Sequence, residues 1–323
     1  MFAQKLKIAD CHCDTIWLME KEEYEFSRRN AAGHIDLPRL REGGVGLQFF
    51  AICTAPLVKE GYLHVALQQI NRYHRNLSLN GDLLQSLEQW ADLATAGKEQ
   101  KIGALLALEG AEPLEGDPEL IHIFYLLGVR ALSLTWNHRN PFADGVGEEP
   151  AGGGLTLAGR DLVKNISSLG IVLDLAHLAV RCFFEALELA AYPPLVSHAN
   201  IKNICAHPRN LSDEQLKALA SRGGVIGMSF YPRFITGGEE AGLDQLIDHF
   251  IYAADLIGVE HIAFGSDFDG IDRTVTGIED AASYQNLPEA LEKRGFRPRE
   301  IELIARGNVE RLLQANLDRG MQP

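Results

Sequence analysis

The stretch LKIADCHCDT, residues 6–15, decides the fold because it joins a short apolar run to a cluster of potential metal ligands. If residues 6–9 form a β-strand, residues two apart project to the same side, so His12 and Asp14 leave the strand end together. An imidazole nitrogen and a carboxylate oxygen are both good zinc ligands. A single His-x-Asp motif is weak evidence, since a surface turn explains most chance occurrences. A metal site therefore requires further ligands from the rest of the chain.

Two cysteines flank His12 and raise the alternative of thiolate ligands. Strand alternation aims Cys11 and Cys13 away from the side that His12 and Asp14 share, so we interpret both as small packed residues. The five cysteines of the chain are odd in number and include no Cys-x-x-Cys pair. This usage argues against a disulfide framework.

The composition is typical of a soluble globular protein and disfavours some classes of binding partner. Of 323 residues, 46% are hydrophobic and 23% are charged, which is enough apolar material for a large core. The 30 Lys and Arg against 44 Asp and Glu give a net charge of −14, so nucleic acid and anionic membranes are poor candidate partners. The chain shows no leader peptide and no long apolar segment, and we expect a cytoplasmic protein. The oligomeric state stays open, with a homodimer as one alternative.

Apolar runs alternate with helical periodicity along the whole chain. Residues 61–96 carry apolar residues at three- and four-residue spacing, which predicts helix interrupted near Gly81. Residues 137–155 are rich in Gly and Pro and predict a long loop, a candidate lid. The chain from residue 278 onward predicts mostly helix. Eight strands are predicted, over residues 6–9, 45–53, 102–108, 129–135, 171–176, 194–197, 224–230 and 261–266.

Eight strands alternating with helices fit either a closed parallel barrel or a doubly wound open sheet. The polar residues at the strand ends favour the barrel, because an open sheet would spread them along a line and a barrel gathers them at one mouth. We therefore predict an α/β protein, a (β/α)8 TIM barrel with extra C-terminal helices that forms a single catalytic domain over residues 1–323. The strand-end residues are Asp14, Glu109, His177, His198 and Asp267.

With His12, the strand ends supply three imidazoles and three carboxylates. This set is too large for one tetrahedral ion with an open position, but it suits two ions bridged by a carboxylate, for which Glu109 is the natural candidate. Two cations roughly 3.5–4 Å apart can share a hydroxide and lower its pKa from about 16 toward about 7. The alternative is a structural network of charges, but gathering so many at one mouth is costly without cations.

Seven segments carry a more specific pattern. They are DCHCDT at 10–15, IDLPRL at 35–40 with GGVG at 43–46, LEG at 108–110, DLAH at 174–177, SH at 197–198, RNLSD at 209–213 and GSDFDG at 265–270. Together they resemble the membrane (renal) dipeptidases, which are zinc enzymes of the amidohydrolase superfamily with a (β/α)8 barrel. The resemblance spans nearly the whole chain.

The resemblance implies two zinc ions per chain, with Glu109 as the bridging ligand. It also implies that Asp267 acts as general base and acid, taking the proton from the bridging hydroxide and passing it to the leaving amine. The other ligands it implies are His12, Asp14 and Asp267 for one ion, and His177 and His198 for the other.

The resemblance also suggests substrate contacts. Arg209 resembles the family arginine that binds the substrate's terminal carboxylate. A guanidinium group suits this role because it can donate two parallel hydrogen bonds to a carboxylate. The alternative is that Arg209 forms an ion pair on the surface. Tyr231 follows the seventh predicted strand and is either a pocket residue or an aromatic of the barrel rim. After strand four, where the family has a histidine that contacts the scissile carbonyl, this chain has Trp136, followed by Asn137 and His138. His138 is the candidate substitute.

We therefore predict a zinc-dependent dipeptidase, a metallopeptidase that hydrolyses the single peptide bond of a dipeptide through a hydroxide bridging two zinc ions. The resemblance implies that a C-terminal D-residue is accepted. The nearer alternative is an amidohydrolase that cuts another amide, such as an N-acyl amino acid or a lactam. The second alternative is a barrel that only binds a small ligand. A missing ligand or base would favour it, and none of the six is missing.

Overall fold

A closed parallel β-barrel forms the centre of the computed structural model, which describes residues 5–21, 23–54 and 61–318. The strands in these residues are β1 (Ile8–Asp10), β2 (Val45–Cys53), β3 (Leu84–Ser86), β4 (Ile102–Glu109), β5 (Val129–Ser133), β6 (Val172–Asp174), β7 (Leu195–Ala199), β8 (Val225–Met228) and β9 (Ile262–Phe264). They follow the order β2-β1-β9-β8-β7-β6-β5-β4-β3, and an additional pairing of β2 with β4 closes eight of them into a barrel. The predicted (β/α)8 fold is confirmed.

Thirteen α-helices flank the barrel within the described residues, and none of them combines the length and apolarity that a membrane span needs. The last three follow β9 and are the predicted extra C-terminal helices. The helices are α1 (Thr15–Leu18), α2 (Leu37–Glu42), α3 (Tyr62–Leu79), α4 (Trp90–Lys98), α5 (Ile121–Leu126), α6 (Leu157–Leu169), α7 (Val180–Leu189), α8 (Asp213–Ser221), α9 (Pro232–Ile235), α10 (Leu243–Ile257), α11 (Asn286–Lys293), α12 (Pro298–Glu302) and α13 (Asn308–Leu317).

The strand β3 lies outside the barrel and was not predicted. It pairs with residues 102–104 of β4, whereas β5 pairs with residues 106–109. Because β5 reaches only the second half of β4, backbone groups on the first half need another partner, and β3 supplies it. The prediction of a break near Gly81 is confirmed, but the break contains a strand as well as a turn.

Local signals set the helix ends nearest the site. Ser212 and Gln215 form a capping box at the start of α8, in which each side chain accepts a hydrogen bond from the other residue's backbone N–H. Thr156 caps α6 by accepting from the backbone of Gly159, and α6 ends at Gly170, whose φ of 70° favours glycine. These caps fix where the segments that precede α6 and α8 meet the barrel.

Apolar side chains fill the barrel and close one end of it. An inner cluster includes Leu47 and Phe49 of β2 and Leu105 of β4, and the helix α13 adds Leu312 and Leu313 to it. The core is therefore filled at the end where α13 packs. Polar side chains gather instead at the carboxyl ends of the strands.

The two cysteines beside His12 occupy different clusters. Cys11 packs in the inner cluster, and Cys13 packs in the outer one, where its thiol donates to the carbonyl of Phe49 at 3.2 Å. Strand alternation predicted that they share one side, and this was wrong because β1 ends at Asp10, before both residues. Both are buried and packed against apolar neighbours, as the sequence indicates.

Candidate metal centre and active site

The structure brings all six predicted ligand residues together at the carboxyl end of the barrel. Each comes from the end of a strand or the residues just after it, so five different strands contribute. The barrel thereby converts residues distant in sequence into neighbours. Every one is less than a tenth exposed; they are His12, Asp14, Glu109, His177, His198 and Asp267.

A carboxylate oxygen of Glu109 lies at the centre of this group. Its Oε1 is 2.8 Å from Nε2 of His177, 3.5 Å from Nε2 of His198 and 3.8 Å from Nε2 of His12. On the far side, Nε2 of His12 is 3.3 Å from Oδ2 of Asp14 and 4.0 Å from Oδ1 of Asp267. Glu109 therefore faces imidazoles from both halves of the group, which is the position that a bridging ligand needs.

The ligand atoms form three overlapping groups, and within each group they lie within 4.8 Å of one another. The division of ligands between two individual ions stays a prediction, because His12 and His198 each belong to two groups. The groups are His12, His198 and Asp267; Glu109, His177 and His198; and His12, Asp14 and Glu109.

The buried imidazole nitrogens of this group indicate that it fits cations. Nε2 of His12 is buried and has no hydrogen-bond partner among the described residues. Nε2 of His177 and Nε2 of His198 face each other at 2.8 Å, and Nδ1 of His177 lies 2.8 Å from Oδ1 of Asn137. An amide oxygen only accepts, so the proton of His177 sits on Nδ1 and its Nε2 presents a lone pair. Imidazole and carboxylate donors of this kind suit a divalent transition metal.

Burial and the charges of neighbouring residues shift the pKa values of these groups. Burial lowers the pKa of His12, but the Glu109 and Asp14 carboxylates outweigh it and raise the value to about 10. Burial lowers the pKa of His177 to about 4. Burial also raises the pKa of Asp267, and the carboxylates of Asp14 and Glu109 raise it further. Such crowding of buried carboxylates is relieved when cations share the site.

Two further buried carboxylates hold the ligand segments in place. Asp10 accepts hydrogen bonds from the backbone of Ser266 at 2.8 Å and from the Gln48 amide at 2.8 Å, which ties β1 to the segment that carries Asp267. Asp174 accepts from the backbones of Ala176 and Ser197, each at 3.0 Å, next to His177 and His198. These supports, like Asn137, were not predicted. The signal of Asp10 and Asp174 in the sequence is an acidic residue that ends a short apolar strand.

Two of the candidate ligands lie on strained backbone. His177 has a φ of 69° and Asp267 a φ of 65°, in the left-handed region that residues other than glycine rarely adopt. Such conformations persist where the surroundings impose them, and they are common at functional sites.

Gly270 leaves the space that the carboxylates need. A Cβ at this position would lie 2.1 Å from Oδ2 of Asp14 and 2.8 Å from Oδ1 of Asp267. We expect Gly270→Ala to weaken metal binding by about 10- to 100-fold, because it displaces two ligand oxygens. Titration of metal-free protein with zinc measures the effect. Gly238→Ala is the matched control, because its Cβ would approach other atoms no closer than 3.5 Å. Equal zinc affinity in both variants would contradict the steric argument.

Two cavities open beside the ligands. The smaller, about 280 Å³, contains the ligand carboxylates and is walled by Trp17 and Trp136. The larger, about 620 Å³, meets the first at His177 and contains Arg209. Residues of the predicted long loop line the larger cavity, and a 3₁₀ helix (Val146–Ala151) orders this part of the loop. Its action as a lid stays a prediction.

Arg209 is a buried cation beside the metal ligands. Its guanidinium donates to the carbonyl of His198 at 3.0 Å and lies 5.5 Å from the ring centre of Phe234. It forms no ion pair with any residue that the structure describes, so the alternative of a surface ion pair does not fit. Burial lowers the pKa of Arg209 to about 10, which leaves the group charged at neutral pH.

The other predicted substrate contacts lie farther out. Tyr231 packs its ring 5.1 Å from Phe234, and His138 is exposed with its ring 5.7 Å from Trp136. Neither lines the two cavities formed by the described residues, so their contact with substrate stays a prediction. Trp136 does line the metal cavity, where its ring stacks on His177 with centres 6.0 Å apart.

Known proteins similar to this chain point to one family. The family described as membrane dipeptidase, peptidase family M19, matches residues 2–322. Dipeptidase aclJ of Aspergillus oryzae is 30% identical over 96% of this chain and 78% of its own length. An uncharacterized dipeptidase of Schizosaccharomyces pombe is 32% identical over 97% of this chain and 81% of its own length.

Solved structures agree with this assignment. The crystal structure of dipeptidase AC, a metallopeptidase of family M19, has a TM-score of 0.91 at 28% identity and covers 98% of this chain and 100% of that one. A metallopeptidase from Rhodobacter sphaeroides, liganded with a phosphinate mimic of the dipeptide L-Ala-D-Ala, has a TM-score of 0.90 at 27% identity and covers 97% and 100%. Since the match extends over nearly all of its length and includes the segments that carry the buried ligands, the chain belongs to the membrane dipeptidase family, M19.

Proposed function

We propose that this chain is a dipeptidase that depends on two zinc ions. The observation that carries the proposal is the central position of Glu109, whose Oε1 lies within 3.8 Å of three imidazole nitrogens in a buried mouth. When bound there, a pair of divalent cations supplies Lewis acidity, which activates water and polarises the scissile carbonyl. Membership in a family of dipeptidases supports the same activity.

Asp267 is the proposed general base and acid. It takes the proton from the attacking water and delivers it to the nitrogen of the leaving amine as the C–N bond breaks. Burial raises its pKa toward neutrality, and a base with a pKa near the working pH is the most effective. The support for this role is its place among the ligands, 4.0 Å from His12 Nε2.

We propose that Arg209 binds the free carboxylate of the substrate. A buried guanidinium without an anionic partner among the described residues needs one from the ligand, and a carboxylate matches its geometry. A longer peptide would place a neutral amide there instead, so Arg209 restricts the enzyme to dipeptides. Acceptance of a C-terminal D-residue is also proposed, supported by the related Rhodobacter sphaeroides structure with its L-Ala-D-Ala mimic.

A substrate panel separates the proposal from its alternatives. Zinc-loaded protein is offered L,L and L,D dipeptides beside N-acyl amino acids and a lactam. We expect the dipeptides to be hydrolysed, with kcat/KM at least about tenfold above that of the other amides. Turnover of N-acyl amino acids alone would favour the broader amidohydrolase, and binding of dipeptides without turnover would favour a ligand-binding barrel.

Removal of the metals is expected to abolish hydrolysis and to lower the Tm. Without cations the buried carboxylates repel one another, and the stabilisation that bound metal contributes is lost. Zinc added back should restore activity at about two equivalents per chain, measured by titration with simultaneous assay. The control is chelator already saturated with zinc. Full activity in protein shown to be metal-free would contradict the proposed mechanism.

A further inference from the structure

The larger cavity extends from the metal centre on the side of Arg209. It measures about 620 Å³ and touches both Arg209 and His177. A dipeptide with its carboxylate on Arg209 and its peptide bond at the metal ligands therefore directs the side chain of its carboxyl-terminal residue into this space. Most of the wall is apolar, with contributions from Val146, Pro150, Leu178, Val180, Phe183 and Leu211.

The cavity lining contains more cationic than anionic side chains. Among the described lining residues, the one carboxylate belongs to Glu149. Its Oε2 accepts from the backbone N–H of Val180 at 2.6 Å, at the start of α7, where a negative charge is favoured. His207 packs its ring 4.6 Å from Phe234, and burial lowers its pKa, so it is neutral at pH 7. The lining cations are Arg209 and Lys202.

Lys202 is the lining cation for which the proposed reaction gives no function. Its backbone N–H donates to the carbonyl of Leu211 at 2.9 Å, which places it next to the segment that carries Arg209. Within residues 5–21, 23–54 and 61–318 its ammonium group forms no ion pair, although the side chain is partly buried. An ammonium group that lies at a cavity wall without an ion pair is available to a carboxylate of a bound ligand.

Three neutral polar side chains of the lining already form hydrogen bonds. The oxygen of Asn137 faces His177 at 2.8 Å, and the amide of Asn210 donates to the carbonyl of Phe234 at 2.7 Å. The Gln215 side chain accepts from the backbone of Ser212 at 3.1 Å. Among the described lining residues, Lys202 is therefore the cation besides Arg209 that can pair with a carboxylate on the substrate's side chain.

We propose that Lys202 is a specificity-determining residue and that the enzyme prefers dipeptides whose carboxyl-terminal residue is acidic, with the α-carboxylate on Arg209 and the side-chain carboxylate on Lys202. This inference rests on the dipeptidase function proposed above. It adds the substrate class, because a second carboxylate distinguishes these dipeptides from neutral ones of the same size.

The test compares two substrates that differ only in charge, L-Ala-L-Glu and L-Ala-L-Gln, on zinc-loaded protein. The wild type should show a kcat/KM at least about tenfold higher for the acidic dipeptide, since a charge-assisted hydrogen bond has about this effect, and most of the difference should lie in KM. Lys202→Met should reduce the Glu/Gln ratio about tenfold, and Lys202→Arg should keep most of it. Lys217→Met on α8 is the matched control, because it removes one exposed lysine and should leave the ratio unchanged.

Three results would overturn the inference. If the wild type hydrolyses both dipeptides equally well, or if Lys202→Met keeps the wild-type ratio, Lys202 does not select the side chain and the dipeptidase function stands. If zinc-loaded wild type hydrolyses neither these dipeptides nor any other of the panel, the proposed function fails and the inference fails with it.

Discussion

Asp267→Asn is expected to lower kcat by about 10²- to 10⁴-fold while the protein keeps most of its metal. The amide retains an oxygen that can ligate a cation, but it cannot take a proton from water or return one to the amine. Steady-state kinetics on a dipeptide and metal analysis of the same sample measure the two effects separately.

Asp272→Asn provides the control for this variant. Asp272 is exposed and lies five residues farther along the same segment, so its change should leave kcat within about twofold of the wild type. If Asp267→Asn retained wild-type kcat with full metal content, another group would have to move the proton. If it lost its metal as well, metal binding would need the charge of the Asp267 carboxylate, which would contradict the retained metal that we expect.

Arg209→Met should lower kcat/KM for dipeptides by about a hundredfold, because a buried charge pair with the substrate's carboxylate is lost. The same variant should have a much smaller effect on a dipeptide amide, which carries no terminal carboxylate. The ratio of the two kcat/KM values is the measurement, and it should fall toward one in the variant.

Arg297→Met is the matched control, since it removes a guanidinium that is exposed and pairs with Glu300 on the surface. Surface pairs of this kind have little effect, so dipeptide kinetics should be unchanged. If Arg209→Met reduced hydrolysis of the dipeptide and its amide equally, Arg209 would not bind the substrate's carboxylate. Its role would then be to position His198, whose carbonyl it contacts.

The barrel could be predicted from the sequence because its strands are nearly continuous apolar runs that end in polar residues. That pattern predicts both the fold class and the end of the barrel at which the polar residues gather. The strand β3 could not be predicted, since three residues have no measurable period and Leu84 fits a helical repeat equally well. Its formation depends on unpaired backbone of β4, which is a tertiary effect.

The convergence of the six candidate ligands at one mouth could also be predicted, because each carries metal-binding chemistry at a strand end. The residues that orient them could not. Asn137 reaches His177 across forty positions of sequence, and Asp10 reaches Ser266 across 256 positions. Hydrogen bonds of this range depend on the closed barrel, so the local sequence marks the acidic residue but does not identify its partner.

The pairing of β1 with β9 has a consequence for biosynthesis. Asp10 and Ser266, whose hydrogen bond accompanies it, are 256 positions apart, so a nascent polypeptide exposes His12 and Asp14 long before Asp267 has been translated. Ring closure must wait for β9, and contacts between such distant residues form slowly. We therefore expect metal uptake to come after release from the ribosome, and a chain arrested before residue 262 to contain several of the candidate ligands without a barrel that brings them together.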